Sequence, residues 1–268
     1  MALRRITSTR GSVILAHRGA SAEAPENTLP AFSLALREGA DGIELDVRFS
    51  ADGVPVVIHD ARVDRTTSAS GRVDRHTVKE LRRLDAGSWF NRRFPARARA
   101  YYGRAKIPLL AEVMAWVKAR RCAAVIEVKR EHAPALNHEE KLLEIIHRAG
   151  VSSQIAVISF HLPTLRRLRQ LDPGLRIGID FTRPLLALRR AGSVGASIVL
   201  PHWAFTSRRF IARAHGAGLQ VIPWGLEAPV AMRRKLAEGV DGAITGHPAY
   251  LRRLVEQYGP WHPGSRAL

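Results

Sequence analysis

Ala16-His17-Arg18-Gly19-Ala20 is followed by Glu44-Leu45-Asp46 and then by His59-Asp60, each behind a short apolar run. These segments bring imidazoles, a guanidinium and carboxylates, groups that move protons and bind cations or phosphate. In Gly42-Ile43-Glu44-Leu45-Asp46-Val47 the two acids stand at i and i+2, and strand side chains alternate faces. Glu44 and Asp46 therefore share one face. Two carboxylates held together repel unless a cation or a shared proton lies between them. Val125-Ile126-Glu127-Val128-Lys129 repeats the spacing with a carboxylate and an ammonium. Buried charges are rare unless paired or metal-bound, so apolar strands with ionic tips point to one polar site rather than to incidental surface charge.

Such tips need a scaffold that gathers strand ends. Short apolar runs at 13–16, 42–48, 123–128, 155–159, 175–180, 197–200, 219–222 and 241–244 read as eight strands, with amphipathic stretches between them. Thr28 caps a helix closing at Gly39, His138 to Ala149 closes at Gly150, Thr206 or Ser207 opens one closing at Gly216, and Pro248 opens the last. Eight strand–helix units predict a parallel sheet closed into a TIM (β/α)8 barrel, one domain over residues 1–268. The turn Ala51-Asp52-Gly53 and the short strand Val54 to Ile58 add a hairpin after the second barrel strand. Residues 60–106 then read as a small insertion over one barrel end, with one short helix over Thr77–Leu84 whose Thr77 and Glu80 form a capping box. His17, Glu44, Asp46, Glu127, Lys129 and His59 all fall at or just beyond strand carboxyl ends, where barrel active sites lie. His161, His202 and His247 also follow strands but lack motif partners.

Composition narrows the classes. Lys and Arg total 42 against 24 Asp and Glu, a formal charge of +18. The arginines are scattered over helix faces, as in Leu165-Arg166-Arg167-Leu168-Arg169, which reads as solvated surface; no nucleic-acid partner is expected. The same field can steer anionic substrates or allow peripheral contact with an acidic lipid surface. The lone Cys122 excludes an intramolecular disulfide and a Cys-based zinc site, and reads as a small core residue. No apolar run is long enough to span a bilayer. Arg4 and Arg5 look like a signal-peptide start, but Val13-Ile14-Leu15-Ala16 is too short for the apolar segment, so a soluble cytoplasmic protein is expected.

As a set these motifs resemble the glycerophosphodiester phosphodiesterase family, barrel enzymes whose distant members include spider-venom sphingomyelinase D-type proteins. The resemblance runs through His17-Arg18-Gly19, Pro25-Glu26-Asn27-Thr28, Glu44-Leu45-Asp46-Val47, Val57-Ile58-His59-Asp60 and Leu84-Asp85-Ala86-Gly87-Ser88-Trp89-Phe90. It continues through Ile107-Pro108-Leu109-Leu110-Ala111-Glu112-Val113, Ile126-Glu127-Val128-Lys129, Ile158-Ser159-Phe160 and Asp241-Gly242.

The resemblance implies hydrolysis of small glycerophosphodiesters to glycerol 3-phosphate and an alcohol. It assigns Glu44, Asp46 and Glu127 as metal ligands, His17 and His59 as acid and base, and Arg18 and Lys129 as phosphate contacts. It also implies that the substrate's own glycerol 2-hydroxyl attacks phosphorus, giving a cyclic phosphate. His59 is expected as first-step base and His17 as acid. Three carboxylates without a thiolate form a hard oxygen site suited to Mg²⁺ or Ca²⁺ rather than zinc. The sequence departs from the family pattern at Trp224-Gly225-Leu226-Glu227 and Thr245-Gly246-His247-Pro248, loops that shape the alcohol pocket. Trp224 is expected to stack on the substrate. A lysophospholipase D-like activity at membranes is the alternative for the same chemistry.

Overall fold

A computed structural model describes residues 12–129 and 137–258. Arg4 and Arg5, weighed above as a signal-peptide start, lie outside the described residues. Nine strands form one sheet: β1 (Val13–His17), β2 (Gly42–Phe49), β3 (Pro55–Val57), β4 (Ala123–Val128), β5 (Ile155–Ser159), β6 (Ile177–Phe181), β7 (Ile198–Pro201), β8 (Gln220–Val221) and β9 (Gly242–Thr245). The order is β8-β7-β6-β5-β4-β2-β1-β9, with every step parallel, and β3 pairs antiparallel with β2 outside that path. Helices lie between the barrel strands, so this is the expected eight-stranded barrel with an added hairpin.

Closure is tightest on one side. Gly42 through Val47 of β2 pair with Ala123 through Val128 of β4, whereas β7 meets β8 only through Ile198 and Val199. Between β8 and β9 no ladder forms. Backbone hydrogen bonds from Asp241 N–H to the Val221 carbonyl (2.9 Å) and from Ile244 N–H to the Pro223 carbonyl (2.9 Å) bridge the seam.

Strand alternation divides the interior from the shell. Val13, Leu15, Val125, Ala156, Ile158, Ile198, Leu200, Ile222 and Ile244 form a buried apolar plug inside the barrel. Ile43, Leu45, Ile126, Val157 and Val199, of opposite parity, pack outward against the helices. On β2 and β4 the inward parity carries Glu44, Asp46 and Glu127, which crown the plug at the strands' carboxyl ends.

Helix ends follow local sequence. Thr28 caps Leu29–Arg37, Gly150 closes His138–Ala149 in a left-handed conformation, and Ser207, not Thr206, caps Arg208–Gly216. In the insertion the Thr77–Glu80 capping box is present, though the helix it opens spans only Val78–Leu81. The remainder is more ordered than its composition suggests. A helix at Ser88–Arg93 begins where the Asp85 carboxylate accepts from the Gly87 and Ser88 N–H groups, both at 2.8 Å. Phe90 and Tyr102 are buried against Ala24 and Ala31, and the Tyr102 hydroxyl donates to the Glu23 carbonyl at 2.9 Å. The insertion is thereby fastened to the loop after β1, beside the barrel mouth.

Candidate active site

The turn after β1 sets the first groups. Arg18 has φ 57° and Gly19 φ 83°, two successive left-handed residues. A Cβ at Gly19 would lie 2.6 Å from the Ala31 carbonyl carbon, so only glycine fits there. The turn directs the Arg18 N–H to Glu44 Oε2 (3.1 Å), while its guanidinium meets Asp46 Oδ2 (3.2 Å) and Glu26 Oε1 (2.9 Å). Asn27, also left-handed at φ 56°, grips Asp46 twice: its Nδ2 donates to Oδ2 (2.8 Å) and its Oδ1 accepts from the Asp46 N–H (3.3 Å). The Asp46 side chain is thus fixed by its neighbours before any ligand arrives.

Glu44, Asp46 and Glu127 are 3%, 1% and 8% exposed, and each offers an oxygen within 4.8 Å of the others. Lys129 Nζ bridges Asp46 Oδ1 (2.8 Å) and Glu127 Oε2 (2.6 Å). Burial pushes all three acids toward the neutral form. At Asp46 the charges of Lys129 and Arg18 outweigh it and hold the carboxyl well below the usual carboxylate range. At Glu44 burial prevails, reinforced by Asp46 and Glu127, and its pKa is raised well above normal. Glu127 is raised by burial, with Lys129 opposing. Hard oxygen donors that the local cations only partly neutralise fit a divalent cation.

His17 and His59 line the same cavity of about 210 Å³, together with Arg18, Glu44, Glu127, Lys129 and Trp224. His17 Nε2 lies 4.0 Å from Glu44 Oε2 and its Nδ1 3.9 Å from Glu227 Oε1. Burial and the Arg18 charge pull His17 down to about 3. The hairpin carries His59 back over β2, where Ile58 N–H donates to the Asp46 carbonyl at 3.0 Å. His59 Nδ1 is 2.7 Å from Asp60 Oδ1, and Asp60 is held by Arg65 at 2.6 Å. Burial lowers the His59 pKa, with the Asp60 hydrogen bond opposing.

The opposite bank of the cavity is apolar. Trp224 is half-buried, donates from Nε1 to the Leu200 carbonyl (3.1 Å) and meets Phe160 edge-on at 6.1 Å. His202 packs behind Trp224 at 4.7 Å, His247 lies 3.8 Å from Glu227, and His161 lines a neighbouring groove with Arg48 and Lys129. None of these three joins the His17–His59 cavity. Two further residues matter that sequence reading passed over. Glu227 reaches back to His17 and accepts from the Gly246 N–H (3.1 Å), linking both divergent loops to the site. Asp180, at the end of β6, lines the cavity 5% exposed. The signal for Asp180 was its place in Ile177-Gly178-Ile179-Asp180-Phe181, the same inward parity that singled out Glu127.

A second cavity of about 630 Å³ adjoins the first through His17 and Arg18 and is walled by the insertion's Trp89, Arg92, Arg93 and Phe94. Among the described residues no helix is long and apolar enough to cross a membrane.

Comparison with known proteins places this arrangement. The profile described as the glycerophosphoryl diester phosphodiesterase family matches residues 17–250. The chain is 34% identical over 253 residues to a glycerophosphodiester phosphodiesterase of Caldanaerobacter subterraneus, covering 92% of this chain and 99% of that one. It is 30% identical to one from Bacillus subtilis, covering 91% and 86%. Among solved structures, a glycerophosphodiester phosphodiesterase from Agrobacterium tumefaciens matches with TM-score 0.75 and 31% identity over 90% of this chain and 99% of that one. An Oleispira antarctica phosphodiesterase, solved in complex with the product sn-glycerol-3-phosphate, shares the fold at TM-score 0.79 and 24% identity, covering 92% and 97%.

Proposed function

The chain belongs to the glycerophosphoryl diester phosphodiesterase family, and on that footing we propose that it hydrolyses glycerophosphodiesters to glycerol 3-phosphate and an alcohol. The observation that carries the reading is one cavity lined by His17, His59, Arg18, Lys129, Glu44 and Glu127, with the buried Asp46 carboxylate within 4.8 Å of both glutamates. Glu44, Asp46 and Glu127 would hold Mg²⁺ or Ca²⁺, which when bound neutralises phosphate charge and acidifies a nearby hydroxyl. Arg18 and Lys129 bind the remaining phosphate oxygens.

No activated Ser, Thr or Cys belongs to the motif set, and in keeping with the family resemblance the nucleophile in this reading is the substrate's glycerol 2-hydroxyl. Its proton passes to His59, whose imidazolium Asp60 stabilises as it forms. The 2-oxygen bonds to phosphorus, the bond to the departing alcohol oxygen breaks, and that oxygen takes a proton from His17. His17 is neutral in the free protein, and the phosphate anion brought beside it raises its proton affinity for this role. Water then opens the cyclic phosphate to glycerol 3-phosphate. An internal hydroxyl is already beside phosphorus, an advantage that reaches ~10⁵ M or more in effective concentration.

Assay of the purified protein against a panel of glycerophosphodiesters with Mg²⁺ or Ca²⁺ tests the activity, with release of glycerol 3-phosphate expected. No turnover of any member with either ion would remove the reading. A 2-deoxy diester should bind and resist cleavage, with a cyclic phosphate visible early by phosphorus NMR for the natural substrate; equal cleavage of the analogue would show direct attack by water.

A further inference from the structure

Asp180 is the buried group in the cavity that this mechanism leaves without work. Its carboxyl is 5% exposed, and Oδ1 has no hydrogen-bond partner. Buried polar atoms are seldom left unpaired, because the lost hydration is not replaced, so an orphan lining a substrate cavity calls for a ligand. Its surroundings say which kind. Asp180 stands between β5 and β7, where the cavity lining includes Ile158, Phe160 and Trp224, and it feels the charges of Glu127, Lys129, Glu44 and Asp46. Asp180 is also absent from the oxygen cluster that Glu44, Asp46 and Glu127 form, so it is not grouped with the proposed metal ligands. An acceptor set between aromatic rings and the polar cluster suits a short polyol: carbon faces pack on the rings while one hydroxyl donates to the carboxyl.

We propose that Asp180 accepts the terminal hydroxyl of the substrate's glycerol and thereby restricts the enzyme to diesters in which that hydroxyl is free. The proposal rests on the glycerophosphodiester reading, in which the 2-hydroxyl attacks and the 3-oxygen carries phosphorus, leaving only the terminal hydroxyl to be bound. A carboxyl oxygen accepts in either protonation state, so the contact does not depend on the charge of Asp180. An analogue lacking the hydroxyl returns Asp180 to its orphaned state inside the complex, and sites built to bind a hydroxyl discriminate strongly against such analogues. A 1-acyl lysophospholipid fails this contact, since its ester oxygen has no proton to give. The inference thus argues against the lysophospholipase D alternative.

The test compares the wild type with Asp180→Ala and Asp180→Leu on a glycerophosphodiester, its 1-deoxy counterpart and a 1-acyl lysophospholipid, under one metal condition. Wild type should favour the parent diester over the 1-deoxy compound in kcat/KM by about 10²-fold or more, and leave the lysophospholipid uncleaved. Asp180→Leu should lose activity on the parent while keeping that on the 1-deoxy diester, so the preference collapses. Its thermal midpoint should match or exceed wild type, because no native partner of Oδ1 is lost; a merely structural aspartate would lower it. Asp180→Ala, which likewise removes the acceptor oxygen, gives the same comparison should the leucine variant fold poorly. Discrimination retained in the variants, or an equal loss on all substrates, overturns the proposal alone. A wild type inert on the parent diester overturns the functional reading, and the proposal falls with it.

Discussion

The two banks of the barrel mouth are built differently. On one, β1, β2 and β4 hold His17, Glu44, Asp46 and Glu127 on strands joined by a ladder running from Gly42–Ala123 to Val47–Val128. Asn27, Arg18 and Lys129 fix the side chains of that bank through hydrogen bonds and ion pairs. On the other, Trp224 and Glu227 follow the two-residue strand β8, beside a seam crossed by isolated hydrogen bonds. The first bank spends polar contacts on orientation. The second offers rings, a buried carboxyl whose Oδ1 has no partner, and the loops after β8 and β9. Bond-making chemistry demands placement to fractions of an ångström, and the orienting polar contacts gather on the bank that carries the proposed acid, base and metal ligands.

That contrast can be attacked from its strong side first. Chelation by EDTA should bring turnover to background, with Mg²⁺ or Ca²⁺ restoring it, and Asp46→Asn should cost at least about 10³-fold in kcat without recovery by added metal. Undiminished activity after chelation and dialysis would end the metal proposal. His17→Ala and His59→Ala should each lower kcat by about 10²- to 10⁴-fold while circular dichroism stays native. Next comes pH. The His59 pKa lies below its ordinary value, so the imidazole is neutral above that point and charged beneath it. A base must be neutral, so kcat/KM should fall about tenfold per pH unit as the solution drops below the His59 pKa, and Asp60→Asn should shift that limb further down. A limb unmoved in the Asp60 variant would detach Asp60 from the proton transfer. The smallest effect belongs to the other bank. Trp224→Ala removes one stacking surface, worth about 0.5–1.5 kcal/mol, and should raise KM a few-fold with kcat nearly constant. A collapse of kcat there would mean that both banks position the reacting atoms.

What could be read from the chain follows the same division. Glu44, Asp46 and Glu127 were legible because the two-residue period of a strand fixes a face from sequence alone. Helix ends at Thr28, Gly150 and Thr77 were legible because caps are local chemistry. Asp180 obeyed the same parity but stood alone in its strand, without a second acid to draw notice. Glu227 meets His17 only because the loop after β8 folds back across the barrel, a long-range event that leaves no periodic trace. The wall formed by Trp89, Arg92, Arg93 and Phe94 was hidden for a related reason: short helices fastened by Asp85 and Tyr102 carry no long repeat.

The left-handed turn at Arg18 and Gly19 carries its consequence into binding thermodynamics. A non-glycine residue in that conformation costs about 1–2 kcal/mol, and here the cost falls when the chain folds, held by the Glu44 and Asp46 contacts. In the proposed reading, a phosphate arriving at Arg18 has no loop to order and little side-chain freedom to remove. Its association should show a small entropic penalty, and the arginine's contribution should appear as affinity rather than as a conformational change.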